Sequence, residues 1–375
     1  MNVCVDKRTE LLNAIYLNSN FHKNELLGNL DDEYTEKLND FMKKHNCGSL
    51  VEKFNKVVDS LGDKFSYDAP ITLFLQLDNE YNFLDKSKNE YPYTDRLGTN
   101  GNNKQLIDDL MQEVKKFAKE SNFDEFYNKS RPFYEKQINK VKSCLTQYEN
   151  YLQRFLTKFF MQDINMDNFN LNIIMSMASG GYGMEVNGEK IICETGNVIN
   201  KNGEKHADII PGGDYQFMAH MCHEISHIFV NPTTAKLNLD DINLTGFDKT
   251  NVDSEHEGNK FVYINESVIR AIEYVFEKSL IITEKAKEQN TTKEQFVNSN
   301  WELIEKANNH YYTNQSARGF SQVEKIENAI INSQTKTYAN FDEKFKDILS
   351  NSLVKDKTTQ FEDSKSIEFE NDKTY

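Results

Sequence analysis

The HEISH stretch at residues 223–227 constrains the fold more than any other part of this 375-residue chain. Two histidines four residues apart face the same way only on an α-helix, where both rings can bind one divalent ion. The surrounding residues 215–230 have apolar side chains at helical spacing, so the sequence predicts a helix there. Asp214 is its predicted N-cap, and Asn231-Pro232 predicts its end.

The glutamate between the two histidines indicates hydrolytic chemistry. In zinc hydrolases with this spacing, the ion lowers the pKa of its bound water and the glutamate takes the proton. His223 and His227 are therefore predicted Zn²⁺ ligands, and Glu224 is the predicted general base. His220 lies one turn earlier on roughly the same face. We interpret His220 as a buried structural residue, with a place beside the site as the alternative.

Catalytic zinc usually takes three protein ligands and leaves one position to water, so a third ligand is required. The compact motif with its third histidine six residues after the second is excluded, because Val230 and Thr233 stand where that motif needs glycine and histidine. The third ligand must therefore come from another element. A strongly helical pattern over residues 260–280 carries Glu266 among apolar neighbours, and Glu266 is the predicted third ligand.

Two further charged residues follow Glu266 at helical spacing. Arg270 and Glu273 lie at i+4 and i+7, so one stripe of this helix carries an acid, a base and an acid. Buried charges need partners, so such a stripe on an inner face favours a metal site whose neighbours orient the ligands. The alternative is a solvated stripe of surface salt bridges.

The two motifs resemble those of gluzincin-type metallopeptidases. In that family the first helix gives two histidines and the general base, and a later helix gives the glutamate ligand. The longer segments HEISHIFVNP and NESVIRAIE resemble more narrowly the corresponding segments of an uncharacterised bacterial family. That family is of unknown function and is predicted to consist of such peptidases. This weaker similarity runs from the N-terminal helices to about residue 340. The resemblance implies that His223, His227 and Glu266 bind zinc and that Glu224 is the base.

The chain departs from the thermolysin pattern after the glutamate ligand. In that pattern an aspartate shortly after the glutamate ligand orients the first histidine. Here Ile269 and Arg270 occupy this place, and no aspartate is present. Arg270, Glu273 or a backbone carbonyl are the alternatives for orienting His223.

Peptide hydrolysis also needs a hydrogen-bond donor for the oxyanion that develops in the transition state. His310, Tyr311 and Tyr312 follow Glu266 at a distance where similar enzymes use a tyrosine or histidine, so these three are the predicted donors. Tyr263, one turn before Glu266, is the alternative. Each of these tyrosines is otherwise interpreted as an ordinary core residue.

The remaining pattern predicts an α+β fold that is predominantly helical. Residues 1–165 read as a mainly helical N-terminal region, residues 166–350 as a zincin-like catalytic region, and residues 351–375 as a polar, flexible tail. A strand at 169–177, a hairpin at 180–194 and a short strand at 207–210 precede the HEISH helix. The helices are predicted at 32–44, 49–61, 104–119, 133–160, 292–308 and 321–333. Residues 84–103 are predicted to form a loop.

Charge and composition exclude several classes of partner. A formal net charge of −15 argues against binding to nucleic acid or to anionic membranes, because both bind preferentially to basic surface patches. Five cysteines without a CxxC pair suggest a reducing compartment, and no apolar run resembles a signal peptide or a membrane span. We therefore expect a cytoplasmic protein.

The leading hypothesis is a zinc-dependent peptidase that hydrolyses peptide or protein substrates through a zinc-bound water activated by Glu224. One alternative is a zinc hydrolase of a non-peptide amide or ester, which shares the same chemistry. Another is a non-catalytic binding protein in which zinc joins two helices.

Overall fold

The structure, a computed structural model, describes residues 1–20, 30–65, 68–84, 102–176, 180–201, 204–210, 212–238 and 260–353. Within these ranges α-helices predominate and strands are few, so the predicted α+β class is confirmed. The strands are β1 (Asn2–Cys4), β2 (Phe169–Ile174), β3 (Gly181–Val186), β4 (Glu189–Thr195), β5 (Asn197–Lys201) and β6 (Glu204–Asp208).

Thirteen α-helices lie within the described residues. They are α1 (Lys7–Asn18), α2 (Asp32–Lys44), α3 (Gly48–Leu61), α4 (Asp68–Leu75), α5 (Asn102–Glu120), α6 (Phe123–Lys129), α7 (Arg131–Phe160), α8 (Asp214–Ala235), α9 (Lys260–Glu288), α10 (Lys293–Ser299), α11 (Trp301–Ala317), α12 (Val323–Ser333) and α13 (Phe341–Leu353). Among these described helices, none is both long enough and apolar enough to cross a membrane.

The chain divides into two compact units. Unit 1 comprises Met1–Glu149 and Asn165–Phe217, and unit 2 comprises Asn150–Ile164 and Met218–Tyr375. This division differs from the predicted boundary at residue 165, because β2 pairs with β1 at the start of the chain and so joins the sheet to the N-terminal helices. Strand pairing between distant segments leaves no local signal in the sequence.

The sheet of unit 1 is mixed, with strand order β1-β2-β4-β3. Strand β2 lies parallel to both β1 and β4, and β3 lies antiparallel to β4. The predicted hairpin is confirmed: Asn187 and Gly188 join β3 to β4 with φ values of 54° and 79°. Two successive positive φ angles are typical of the tight turn that suits the twist of paired strands.

Unit 2 has an aromatic core built from several helices. Phe155 of α7 packs edge-on against Phe276 of α9, with 5.2 Å between ring centroids. Phe160 lies 4.6 Å from Phe229 of α8 and 4.8 Å from Phe341 of α13, again between centroids. These contacts fix the faces that α8 and α9 turn toward the interior of unit 2.

Three predicted boundaries are wrong. The helix α8 continues through Pro232 to Ala235, because Thr233 and Thr234 in that last turn are buried and their packing offsets the lost backbone hydrogen bond.

The helix predicted at 292–308 is two helices, α10 and α11. At Asn300 the side-chain amide donates to the Phe296 carbonyl at 2.8 Å, which competes with the helical backbone pattern.

The short strand predicted at 207–210 begins and ends earlier, as β6, which pairs with β5. The predicted loop at 84–103 lies almost wholly outside the described residues, as does the predicted tail from residue 354 onward.

Candidate metal centre

Two helices of unit 2 bring three potential metal ligands together. His223 and His227 project from α8, and Glu266 projects from α9. One donor atom from each of these residues lies within 4.8 Å of the other two, and among the described residues no other histidine, cysteine or acid group forms such a cluster. The structure thus brings together the three side chains that the sequence predicts as ligands, and their binding of a metal ion stays a prediction.

The spacing of the donor atoms fits a small tetrahedral ion. The Nε2 atoms of His223 and His227 are 3.2 Å apart. The carboxylate of Glu266 places Oε1 3.3 Å from Nε2 of His227 and Oε2 3.7 Å from Nε2 of His223. Two ligands that are each about 2.0–2.1 Å from a tetrahedral zinc ion lie roughly 3.3 Å apart. Two imidazole nitrogens and one carboxylate oxygen are also the donor set that suits zinc.

The far side of each imidazole ring is held by a hydrogen-bond acceptor. Nδ1 of His223 lies 2.9 Å from Oε2 of Glu273, and Nδ1 of His227 lies 3.3 Å from Oδ1 of Asn231. A proton on each Nδ1 leaves the lone pair of Nε2 facing the other donors. Of the alternatives for orienting His223, the structure therefore selects Glu273.

Sequence reasoning did not give Asn231 a role at the site. The sequence predicts Asn231 only as part of the helix end, whereas α8 continues past it. Its position four residues after His227 is the signal that identifies it, because residues at i and i+4 are neighbours on a helix surface.

The stripe of charged residues on α9 is an interior feature rather than a solvated one. Glu266 and Arg270 are each 9% exposed, and Glu273 is partly buried. Nη2 of Arg270 lies 3.1 Å from Oε2 of Glu266. All three charges therefore have partners at the site, which is the condition for burying them.

Neighbouring groups shift the pKa values at the site in opposite directions. Burial opposes the charged form of His227, but the hydrogen bond and charge of Glu266 overcome it and raise the pKa of His227 to about 9. Burial likewise opposes the charge of Glu266, whose pKa is nevertheless held well below its ordinary value by His227, His223 and Arg270. The pKa of Glu273 is also lowered, by His223 and Arg270 against the effect of burial. The acid groups are therefore carboxylates, as metal binding requires, whereas His227 without an ion is protonated and releases that proton when it binds a metal.

Glu224 lies beside the predicted ligands without being one of the three. It is 4% exposed, and its Oε1 lies 3.8 Å from Nε2 of His220. The ring of His220 stacks on that of His223 with 6.2 Å between centroids. His220 therefore lies beside both Glu224 and a predicted ligand, and it is partly exposed rather than buried as the sequence predicts.

The predicted oxyanion donors form hydrogen bonds with other residues of unit 2 in this structure. The hydroxyl of Tyr311 donates to the backbone carbonyl of Arg270 at 2.9 Å, and the hydroxyl of Tyr312 donates to Glu327. His310 is exposed and contacts Asn314 on its own helix. Burial raises the pKa of both tyrosines, so each remains a protonated hydroxyl. Their assignment as oxyanion donors stays a prediction.

The alternative donor, Tyr263, lies in the interior of unit 2. It is 1% exposed, and its ring stacks on that of Phe320 with 5.9 Å between centroids. Burial raises its pKa, while the nearby hydroxyl groups of Ser267 and Ser321 act in the opposite direction. A buried ring that stacks on another aromatic ring is typical of a structural tyrosine.

Residues 1–302 match a family model described as a domain of unknown function, DUF4932. The matched segment includes His223, Glu224, His227 and Glu266, and it ends before Tyr311. No curated protein and no solved structure matches the chain.

Proposed function

The chain belongs to the DUF4932 family, and we propose that its activity is that of a zinc-dependent peptidase of the gluzincin type. The observation that carries this proposal is the convergence of His223, His227 and Glu266 within 4.8 Å, with Glu224 between the two histidines on the same helix. A site that only joined two helices would need no carboxylate in that position and would usually close with a fourth protein ligand. Within the described residues, the candidate metal-binding cluster has three members, which leaves a fourth position for water.

The residues of the site divide into ligands and supports. His223 and His227 would bind the ion through Nε2, and Glu266 through its carboxylate. Glu273 and Asn231 would hold the two rings in that orientation through Nδ1. Zinc held by this set lowers the pKa of water and polarises a carbonyl group.

Glu224 supplies the proton transfers. Its buried carboxylate would remove a proton from the attacking water and deliver it to the departing amine of the peptide. His220 lies beside this carboxylate, with its Nε2 3.8 Å from Oε1 of Glu224. The donor that stabilises the oxyanion is proposed from among His310, Tyr311 and Tyr312, and binding of substrate would have to draw a tyrosine hydroxyl from its present partner.

The test is a Glu224→Gln variant assayed together with its metal content. We expect the purified wild-type protein to hold a single zinc and to cleave members of a peptide library, and we expect a chelator to abolish that cleavage. Glu224→Gln should keep the zinc and lose roughly 10²–10⁴-fold in kcat, because general acid–base catalysis contributes about that much. Mass spectrometry of the library and of the metal measures both quantities.

The matched control is Glu302→Gln, which makes the same change at an exposed position of α11. It should leave both metal content and turnover unchanged. Cleavage by Glu224→Gln at the wild-type rate would remove Glu224 as the base. A wild-type protein that holds zinc but cleaves no peptide would instead favour a different substrate or a structural role for the ion.

A further inference from the structure

Arg270 places a buried positive charge directly on a predicted zinc ligand. Its Nη2 lies 3.1 Å from Oε2 of Glu266, one turn earlier on α9. The other side of the guanidinium faces the ring of Phe320, whose centroid is 4.4 Å from Cζ. An arginine held between a carboxylate and an aromatic face has a defined position.

The two oxygens of Glu266 are both near the place that an ion would occupy. Oε1 lies 3.3 Å from Nε2 of His227, and Oε2 lies 3.7 Å from Nε2 of His223. Both distances are close to the roughly 3.3 Å that separates neighbouring ligands of a tetrahedral zinc ion. Glu266 is therefore placed to bind through one oxygen or through both.

Whether Glu266 binds through one oxygen or through both matters for catalysis. A catalytic zinc ion keeps one position for water or substrate, and a second carboxylate oxygen competes for that position. Only Oε2 has the arginine as a partner. The positive charge of the guanidinium beside Oε2 offsets part of the negative charge that this oxygen offers to a cation.

We infer that Arg270 is a positioning residue that restricts Glu266 to a single metal-binding oxygen, Oε1, and so keeps a position free for water. This inference rests on the proposed zinc site and adds the binding mode of its carboxylate. An acid is not needed one turn after Glu266, because Glu273 orients His223 through its 2.9 Å contact with Nδ1. The position is therefore available for the basic residue Arg270.

The experiment replaces the metal with Co²⁺, whose visible absorption is stronger in four-coordinate than in five-coordinate sites. The wild-type protein should show the four-coordinate spectrum. Arg270→Met should still bind Co²⁺ but show the weaker five-coordinate spectrum, because Oε2 is released to the ion. Arg270→Lys, which keeps the charge and a donor, should retain the wild-type spectrum.

The matched control is Lys278→Met on the same helix. Lys278 pairs with Glu327, a carboxylate that is 1% exposed, so this variant also loses a buried ion pair but leaves the zinc ligands untouched. Its Co²⁺ spectrum should equal that of the wild type. A spectral change in Lys278→Met would show that general loosening of α9, rather than the Arg270 contact, sets the coordination number.

X-ray absorption of the zinc-loaded wild-type protein also tests how many oxygens of Glu266 bind the zinc. This measurement does not depend on whether any variant folds. Two oxygens from Glu266 at the zinc would overturn the inference, as would an unchanged Co²⁺ spectrum in Arg270→Met. A wild-type protein that binds neither Co²⁺ nor zinc would contradict the proposed function itself, so the two failures are distinguishable.

Discussion

Three polar side chains of α9 serve the candidate zinc site in different ways. Glu266 faces the two histidines, Arg270 holds one oxygen of Glu266, and Glu273 holds the far nitrogen of His223. Their spacing of four and seven residues puts all three on one stripe of the helix. A substitution at each position should therefore have its own signature.

Removing Glu273 should weaken metal binding without removing a ligand. We expect Glu273→Ala to lower zinc affinity by about 10–100-fold, because His223 loses the acceptor that fixes its ring and its tautomer. Glu273→Gln should lose less, since its amide oxygen still accepts from Nδ1. Competition of the protein with a coloured chelator measures the affinity.

Glu284→Ala is the control for Glu273→Ala. It removes an acid from the same helix that pairs with Lys287, at 3.9 Å. Its zinc affinity should equal that of the wild type. Wild-type affinity in Glu273→Ala would mean that helix packing alone orients His223.

At the scale of elements, one buried side chain joins a strand to a helix. Asn172 lies at the centre of β2 and is 2% exposed. Its Oδ1 accepts from the backbone N–H of Asp6 at 2.8 Å, and its Nδ2 donates to Thr9 of α1 at 2.8 Å. The start of α1 is thereby fixed to the middle of the sheet, next to the pairing of β1 with β2.

Asn172→Ala should destabilise unit 1 by about 1–3 kcal/mol, because it leaves the part-buried backbone N–H of Asp6 without its acceptor and removes the donor to the Thr9 hydroxyl. Urea unfolding of the variant, followed by circular dichroism, measures the change. Asn170→Ala on the same strand is the matched control, since the amide of Asn170 bonds an exposed Asn2 at 3.2 Å. Equal stability of the two variants would contradict the role given to Asn172.

At the scale of the whole molecule, the candidate metal site belongs to one of the two units. His223, His227 and Glu266 all lie in unit 2, and the sheet lies in unit 1. A ligand that binds only the folded state stabilises the part that holds it. Metal should therefore affect the two units differently.

Removal of zinc by a chelator should increase hydrogen exchange in α8 and α9 and leave exchange in β2 and β4 unchanged. At a free zinc concentration 100 times its Kd, the bound metal contributes about 2.7 kcal/mol of stability. Hydrogen-exchange mass spectrometry with and without chelator measures the effect in each segment. Glu266→Ala is the control and should show no response to the chelator. Equal responses in unit 1 would refute the assignment of metal binding to unit 2 alone.

Local patterns in the sequence are sufficient to predict the parts of the site that lie on one helix. Helical spacing places His223 and His227 on one face of α8, and it places Glu266, Arg270 and Glu273 on one stripe of α9. The class of fold, the β3–β4 hairpin and most helix positions follow from local patterns in the same way. Local periodicity specifies which residues share a face, because the backbone geometry of a helix or strand is fixed.

Which of these faces meet depends on the packing of distant segments. The sequence left Arg270, Glu273 and a backbone carbonyl as alternatives for orienting His223, and only the packing of α9 against α8 selects Glu273. Packing also turns the hydroxyls of Tyr311 and Tyr312 toward Arg270 and Glu327, and it joins β1 to β2 across more than a hundred residues of intervening chain. These outcomes depend on contacts between distant segments, whose free energies come from the burial of whole faces and carry no signature in any one stretch of sequence.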